Sequence, residues 1–216
     1  MKTDAITIMR HFSSVWELVE SLDPEKVISE TPSGTAIALG INDRQVRTEY
    51  DIEAVIAFAR RCPARVVWTA PEILAVQGME YPSPCYNAGD QTITMFHPAY
   101  YSTDEALKHC LMHETAHHLH FHNGGFLARH DGHMYSKRQH QYWYNVAEIV
   151  AETATMIASR ILGIIGVDKP LSNEACARYI ATYRLGAGVW TTVPMVDLQA
   201  TVAVAHHLVD IYGEIA

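Results

Sequence analysis

The chain has 216 residues, of which 49% are apolar and 19% charged, a composition typical of a globular protein with a sizeable core. Its formal net charge is -8 and it has no block of Lys and Arg, so a nucleic-acid partner or an anionic membrane surface is disfavoured. The four cysteines form no C-x-x-C pair, so neither a cysteine zinc site nor a disulfide framework is indicated.

Charged residues interrupt the segments that could act as a signal or a membrane span. Near the N-terminus, Asp4 and Arg10 break the apolar run that a secretory signal requires. The apolar stretch 146–167 contains Glu148, Glu152 and Arg160, whose charges would be costly in hydrocarbon. We therefore expect a cytoplasmic protein with reduced thiols and no membrane partner.

Residues 1–80 predict a small α+β lead-in, which can belong to the same domain as the rest. Apolar residues at helical spacing, β-branched runs and turn residues such as Pro63 set its elements. The predicted elements are a helix over 12–22, strands over 35–39 and 45–50, a helix over 51–61 and a strand over 65–69.

Residues 81–216 predict one main domain that begins with a hairpin and is mostly helical afterwards. Two extended runs around an Asn-Ala-Gly-Asp turn predict a β-hairpin over 85–96. Ser102 and Glu105 form a candidate capping box for a helix that runs to about His122. A polar loop then leads to further helices over 139–162, 172–183 and 195–215, the first of them closed by Gly163.

The histidines point to a metal site. The chain has 13, and nearly half of them lie between His109 and His122. His113 and His117 stand in the string HETAH, an H-E-x-x-H motif on a segment predicted to be helical. On a helix the two rings project one turn apart from one face, so both can reach one Zn²⁺. Glu114 can then take a proton from the attacking water and deliver it to the leaving amine.

The third zinc ligand is predicted on the next long helix. Glu148 and Glu152 are spaced i, i+4 on one face of an otherwise apolar segment, where buried acids need a cation. We expect Glu148 to complete a His/His/Glu site and Glu152 to accept the ring N–H of a ligand histidine. Two alternatives stay open: the reversed assignment, and a solvated polar stripe in which neither acid binds metal.

Other polar residues near the motif have less defined roles. The extended metzincin motif fails, because His120 and Asn123 stand where it requires Gly and His. His109 and His120 share the face of the ligands but lie too far along the helix, so they are expected to support the ligands or to face solvent. The strand 92–96 is either a candidate edge for an extended peptide or an ordinary hairpin strand. Candidate oxyanion donors, with none preferred, are His133, Tyr135, His140, Tyr142 and Tyr144.

Several stretches stand in a recognisable order: the run 86–95, the HETAH helix, the segment Glu148 to Glu152, and Leu162-Gly163-Ile164. This order, over roughly residues 80–216, resembles the zincin metallopeptidase domain of ArdC-type antirestriction proteins. More distantly, the spacing of Glu148 and Glu152 is similar to the E-x-x-x-D pattern of gluzincins, in which the first acid ligates and the second orients a histidine. The family usually adds an N-terminal single-strand DNA-binding domain, which the acidic lead-in does not match. The resemblance thus implies the peptidase part and not antirestriction itself.

We therefore predict an α+β, zincin-like fold with a small sheet beside the H-E-x-x-H helix. The predicted function is that of a zinc metallopeptidase that cleaves a protein or peptide substrate, with Glu114 as general base. One alternative is a non-catalytic, metal-stabilised binding protein, such as an antirestriction or host-defence antagonist. Another is a zinc hydrolase of small amides or bases, although Pro84-Cys85 lacks the second cysteine of the deaminase signature.

Overall fold

The protein combines a small sheet with seven α-helices in the residues that the computed structural model describes, which are 4–23, 46–76, 83–123, 137–166, 172–186 and 195–213. This part of the chain is α+β and mostly helical, as predicted. In chain order the elements are α1 (Ala5–Ser21), α2 (Ile52–Ala59), β1 (Arg65–Thr69), α3 (Pro71–Val76), β2 (Cys85–Asn87), β3 (Thr92–Phe96), a 3-10 turn (Pro98–Tyr100), α4 (Asp104–His122), α5 (Lys137–Ile161), α6 (Asn173–Gly186) and α7 (Met195–Tyr212).

The sheet has the strand order β1-β3-β2. The predicted hairpin forms, with β2 antiparallel to β3 and Tyr86 opposite Ile93. On its other side β3 pairs in parallel with β1, where Thr92 lies opposite Arg65. The expectation that strand 92–96 offers a free edge is therefore wrong, because both of its sides are already hydrogen-bonded. Within the described sheet, β2 is an edge strand.

Two predicted strands in the lead-in have different outcomes. The strand over 35–39 lies outside the described residues. The strand over 45–50 is wrong for 46–50, which have no regular secondary structure. The Arg47 backbone N–H donates to the carbonyl of Ala99 at 2.8 Å, and its guanidinium lies 2.7 Å from an Asp104 carboxylate oxygen. These contacts fix the segment to the start of α4 instead of placing it in a sheet.

The N-cap of the helix that carries the histidines lies one position later than predicted. The Thr103 side-chain oxygen accepts from the Ala106 backbone N–H at 3.1 Å, so Thr103 is the N-cap and Ser102 is not. Asp104 and Glu105 lie in the first turn, where their negative charges interact favourably with the positive N-terminal end of the helix dipole. The predicted length of the helix, to about His122, is confirmed.

Residues at the helix ends also explain where α1 begins and where α5 ends. α1 begins well before the predicted residue 12, because the Asp4 carboxylate accepts from the Thr7 backbone N–H at 2.7 Å and caps the helix there. α5 ends as predicted at Gly163, whose φ of 67° suits a residue without a Cβ.

α5 is the central helix of the described structure. It packs against α1, α4, α6 and α7, and its buried face is lined by small and aliphatic residues. Because α4 lies along it, the H-E-x-x-H face of α4 is turned toward the two glutamates of α5. None of the helices in the described ranges is both long enough and apolar enough to cross a membrane.

Candidate metal centre

Three side chains from α4 and α5 converge on one point. The Nε2 atoms of His113 and His117 are 3.2 Å apart. Oε2 of Glu148 lies 3.3 Å from the His113 nitrogen, and Oε1 of Glu148 lies 3.5 Å from the His117 nitrogen. Zinc binds nitrogen and oxygen at about 2.0–2.2 Å, which sets tetrahedral ligands about 3.3–3.5 Å apart. The spacing fits one cation shared by the three side chains.

Hydrogen-bond accounting also favours positive charge at this point. The Nδ1 atom of His113 lies 2.9 Å from Oε2 of Glu152, so we assign its hydrogen to Nδ1. Burial opposes a second proton on the His113 ring, but hydrogen bonds to Glu148 and Glu152 raise its pKa well above the ordinary value. The Nε2 side of His113 therefore attracts a cation, either a proton or a metal ion.

The acids of the site are buried. Glu114 and Glu148 are each 5% exposed, and Glu152 is fully buried. The alternative that Glu148 and Glu152 form a stripe in contact with solvent is therefore wrong, and metal binding by either acid stays a prediction. Three carboxyl groups so close together in a dry interior repel one another, and a cation among them offsets both that repulsion and the loss of hydration.

Their surroundings shift the proton affinities of the three acids in different directions. Burial alone would raise the pKa of Glu148, but His117 and His113 hold it well below the usual value. Burial likewise disfavours the ionised form of Glu152, but His109 and His113 lower its pKa to about 2. For Glu114, burial dominates over the two histidines and its pKa is raised. Of the three, Glu114 is the acid that best holds a transferred proton.

Glu114 lies beside the edge strand β2. The Tyr86 backbone N–H donates to its carboxylate. Burial raises the pKa of the neighbouring Cys85 thiol, and the negative charge of Glu114 raises it further. The candidate base thus lies between the end of the small sheet and the ligands of α4 and α5.

The sequence did not predict a cluster of tyrosines around the candidate ligand Glu148. The Tyr179 hydroxyl donates to Oε2 of Glu148 at 2.8 Å and lies 3.3 Å from the Tyr183 hydroxyl. Burial raises the pKa of Tyr179 well above its usual value, so the hydroxyl keeps its proton and remains a donor. The i, i+4 spacing of the two tyrosines on one helix was the available signal. It did not show which helix they would face.

The candidate oxyanion donors are only partly described. His133 and Tyr135 lie outside the described residues, as does the side chain of His140. Tyr144, which is 45% exposed, hydrogen-bonds Glu148 and Tyr183 and so belongs to the tyrosine cluster. Tyr142 packs edge-on against Trp143. The oxyanion role stays a prediction for all five residues.

We expect Tyr179→Phe to weaken zinc binding about tenfold, because Glu148 loses a charge-assisted hydrogen bond that orients its carboxylate. The dissociation constant is measured by competition with a chelating dye. Tyr212→Phe is the matched control, since it removes another buried tyrosine hydroxyl, bonded at 2.8 Å to Thr115 and outside the site. Equal zinc affinities in the two variants would contradict the role given to Tyr179.

No protein-family model matches the chain, and no curated protein matches it. Among solved structures, it is similar to the Mn(II)-bound crystal structure of the antirestriction protein ArdC from plasmid R388, with 19% sequence identity and a TM-score of 0.45. The match covers 80% of this chain and 57% of that one, so the chain spans a little over half the length of ArdC.

His109 and His120, the remaining histidines of the ligand face, are buried, so of their two expected roles the solvent-facing one is wrong. His120 lies 3.3 Å from a carboxylate oxygen of Asp197 and so links α4 to the first turn of α7. His109 contacts Glu152, and together with Cys176 these two form a second cluster of side chains of the types that can ligate a metal ion. Neither histidine is part of the group formed by His113, His117 and Glu148.

Proposed function

We propose that this chain binds one divalent metal ion, zinc in particular, through His113, His117 and Glu148. The observation that carries the proposal is the 3.2–3.5 Å spacing of their ligand atoms across two helices. Glu152 orients His113 through its Nδ1 atom. The same proposal includes a zincin-like arrangement of residues 81–216, with residues 1–80 as a lead-in.

The chemistry we propose for this centre is hydrolysis of a peptide bond. A bound zinc ion would supply a Lewis acid that activates water and polarises the substrate carbonyl. Glu114 takes the proton of the attacking water and returns it to the leaving amine, a task suited to a buried carboxyl of raised pKa. Tyr179 and Glu152 keep Glu148 and His113 oriented during the reaction.

The substrate we propose is an extended segment of a protein or peptide. β2 is an edge strand of the described sheet, and its residue Tyr86 hydrogen-bonds Glu114 through the backbone. A peptide that adds to this edge would run past the base, with backbone hydrogen bonds supplying part of its affinity.

A non-catalytic metal-binding protein is the second candidate, and one observation favours it. The side chains of His113, His117 and Glu148 are only 2%, 12% and 7% exposed, respectively. A metal ion enclosed this closely can stabilise the fold without meeting a substrate, as structural zinc sites do. The chain would then act by binding, for example as an antirestriction or host-defence antagonist.

Metal content and cleavage separate these candidates. The protein is purified without chelator, analysed for bound zinc and manganese, stripped, reloaded with either metal and incubated with a peptide library read by mass spectrometry. About one zinc per chain, with cleavage that stops on stripping and returns on reloading, supports the peptidase. Stoichiometric metal without cleavage supports the binding protein. A folded chain that takes up neither metal contradicts both.

A further inference from the structure

A buried hydrogen-bond network continues beyond the candidate metal centre. Glu152 binds His113 with one carboxylate oxygen, and its other oxygen lies 3.0 Å from Nε2 of His109. The Nδ1 atom of His109 lies 2.9 Å from the hydroxyl oxygen of Ser159, two turns further along α5. All of these side chains except that of His113, which is 2% exposed, are fully buried.

His109, Glu152 and Cys176 could also be interpreted as a second metal site. Their contacts favour a hydrogen-bonded chain instead. The links at 2.9 and 3.0 Å have the length of ordinary hydrogen bonds and connect the groups one after another. The ligand atoms of the first site, at 3.2–3.5 Å, instead face one common point. The Cys176 thiol lies 3.6 Å from Nε2 of His109 and is hydrogen-bonded to Glu152, and burial raises its pKa well above the usual value, so it keeps the proton that a metal ligand would have to lose.

The donor and acceptor roles along the hydrogen-bond network follow from its His113 end. If Nε2 of His113 binds a metal ion, its Nδ1 carries the hydrogen and donates to Glu152. The second oxygen of Glu152 can only accept, so Nε2 of His109 carries a hydrogen as well. The other ring nitrogen of His109, Nδ1, lies 2.9 Å from the Ser159 hydroxyl, which also lies 3.9 Å from Sδ of Met112. Both ring nitrogens of His109 thereby have a buried side-chain partner.

We infer that His109 and Ser159 are positioning residues of the metal centre, a role that rests on the proposed binding of metal at His113. Ser159 holds the His109 ring through Nδ1, and His109 holds Glu152 in the rotamer that orients His113. Without Ser159, Nδ1 of His109 loses this partner, so the ring can turn and its hydrogen bond to the Glu152 carboxylate weakens. Partners of this kind are worth about 10- to 100-fold in metal affinity.

Zinc titration of the whole chain tests this role. The stripped wild type, Ser159→Ala, His109→Leu and His109→Gln are titrated against a chelating dye. The glutamine amide can present an N–H near the position of Nε2, so it should restore part of the lost affinity. Thr115→Val is the matched control, because it removes a buried hydroxyl of α4 that is bonded to the Leu111 carbonyl and to Tyr212, away from the network.

We expect zinc affinity to fall at least tenfold in Ser159→Ala and His109→Leu, less in His109→Gln, and not in Thr115→Val, although Thr115→Val also destabilises the fold. The absorption bands of bound Co²⁺, which report ligand geometry, should change in the first two variants and stay unchanged in the control. Thermal unfolding of the metal-free proteins, measured in parallel, separates a loss of fold from a loss of positioning.

The results also separate this role from the proposed function. A wild type that binds no zinc contradicts the metal site itself. A wild type that binds zinc as tightly as Ser159→Ala and His109→Leu contradicts only the positioning role. Two zinc ions per wild-type chain, with one lost in His109→Leu, would overturn it as well, because the network would then be a metal site.

Discussion

Replacing Glu114 by glutamine is expected to lower kcat for peptide cleavage by about 10²- to 10⁴-fold while zinc remains bound. The amide has nearly the volume of the carboxyl group but cannot take a proton from water. The proposed ligand atoms belong to His113, His117 and Glu148, so the coordination of the metal should persist. Single-turnover cleavage rates and the zinc content of the same preparation give both quantities.

Glu105→Gln is the matched control for this variant. It removes a carboxylate from the first turn of the same helix, away from the ligands. Unchanged cleavage in Glu114→Gln, with full cleavage in the control, would exclude Glu114 as the base and move the catalytic proposal to another group. Loss of zinc from Glu114→Gln would show instead that this residue helps to hold the metal.

Replacing His113 by alanine is expected to abolish stoichiometric zinc binding and all metal-dependent cleavage. His113 supplies a ligand atom in the proposed site, and its ring is also the partner that Glu148 and Glu152 share. Its removal leaves two buried carboxylates without that partner, and breaking a buried charge pair costs about 3–5 kcal/mol. We therefore expect a lower midpoint of chemical unfolding for the metal-free variant as well, measured together with zinc by elemental analysis.

His122→Ala is the control for this second experiment, because it removes an exposed histidine from the same helix. The control should keep its zinc and its unfolding midpoint. Zinc at the wild-type level in His113→Ala would show that the metal binds elsewhere, and the His/His/Glu site would have to be abandoned.

The sequence alone determined the local elements and the motif at the site. The hairpin, β1, the span of α4 to His122 and the end of α5 at Gly163 were all predicted. Each depends on contacts between near neighbours in the chain, such as turn residues, alternation or helical spacing. The two motifs of the site, H-E-x-x-H and the pair Glu148 and Glu152, were found for the same reason, since each spacing lies within one helix.

Only the tertiary structure decided which elements meet. The order β1-β3-β2 makes β3 a central strand, and no feature of the run 92–96 distinguishes that position from an edge. At the start of α4, the residue that caps the helix is Thr103 and not the predicted Ser102, one position earlier.

The supporting residues of the site show the same limit most clearly. Tyr179 reaches Glu148 from α6, and Ser159 reaches His109 from α5, so each contact joins residues far apart in sequence. Periodicity identifies the buried face of a helix but not the helix opposite it. The sequence therefore gave candidates for the ligands and the base. The packing of α4, α5 and α6 decided which polar side chains surround them, because buried polar groups must find partners wherever the helices meet.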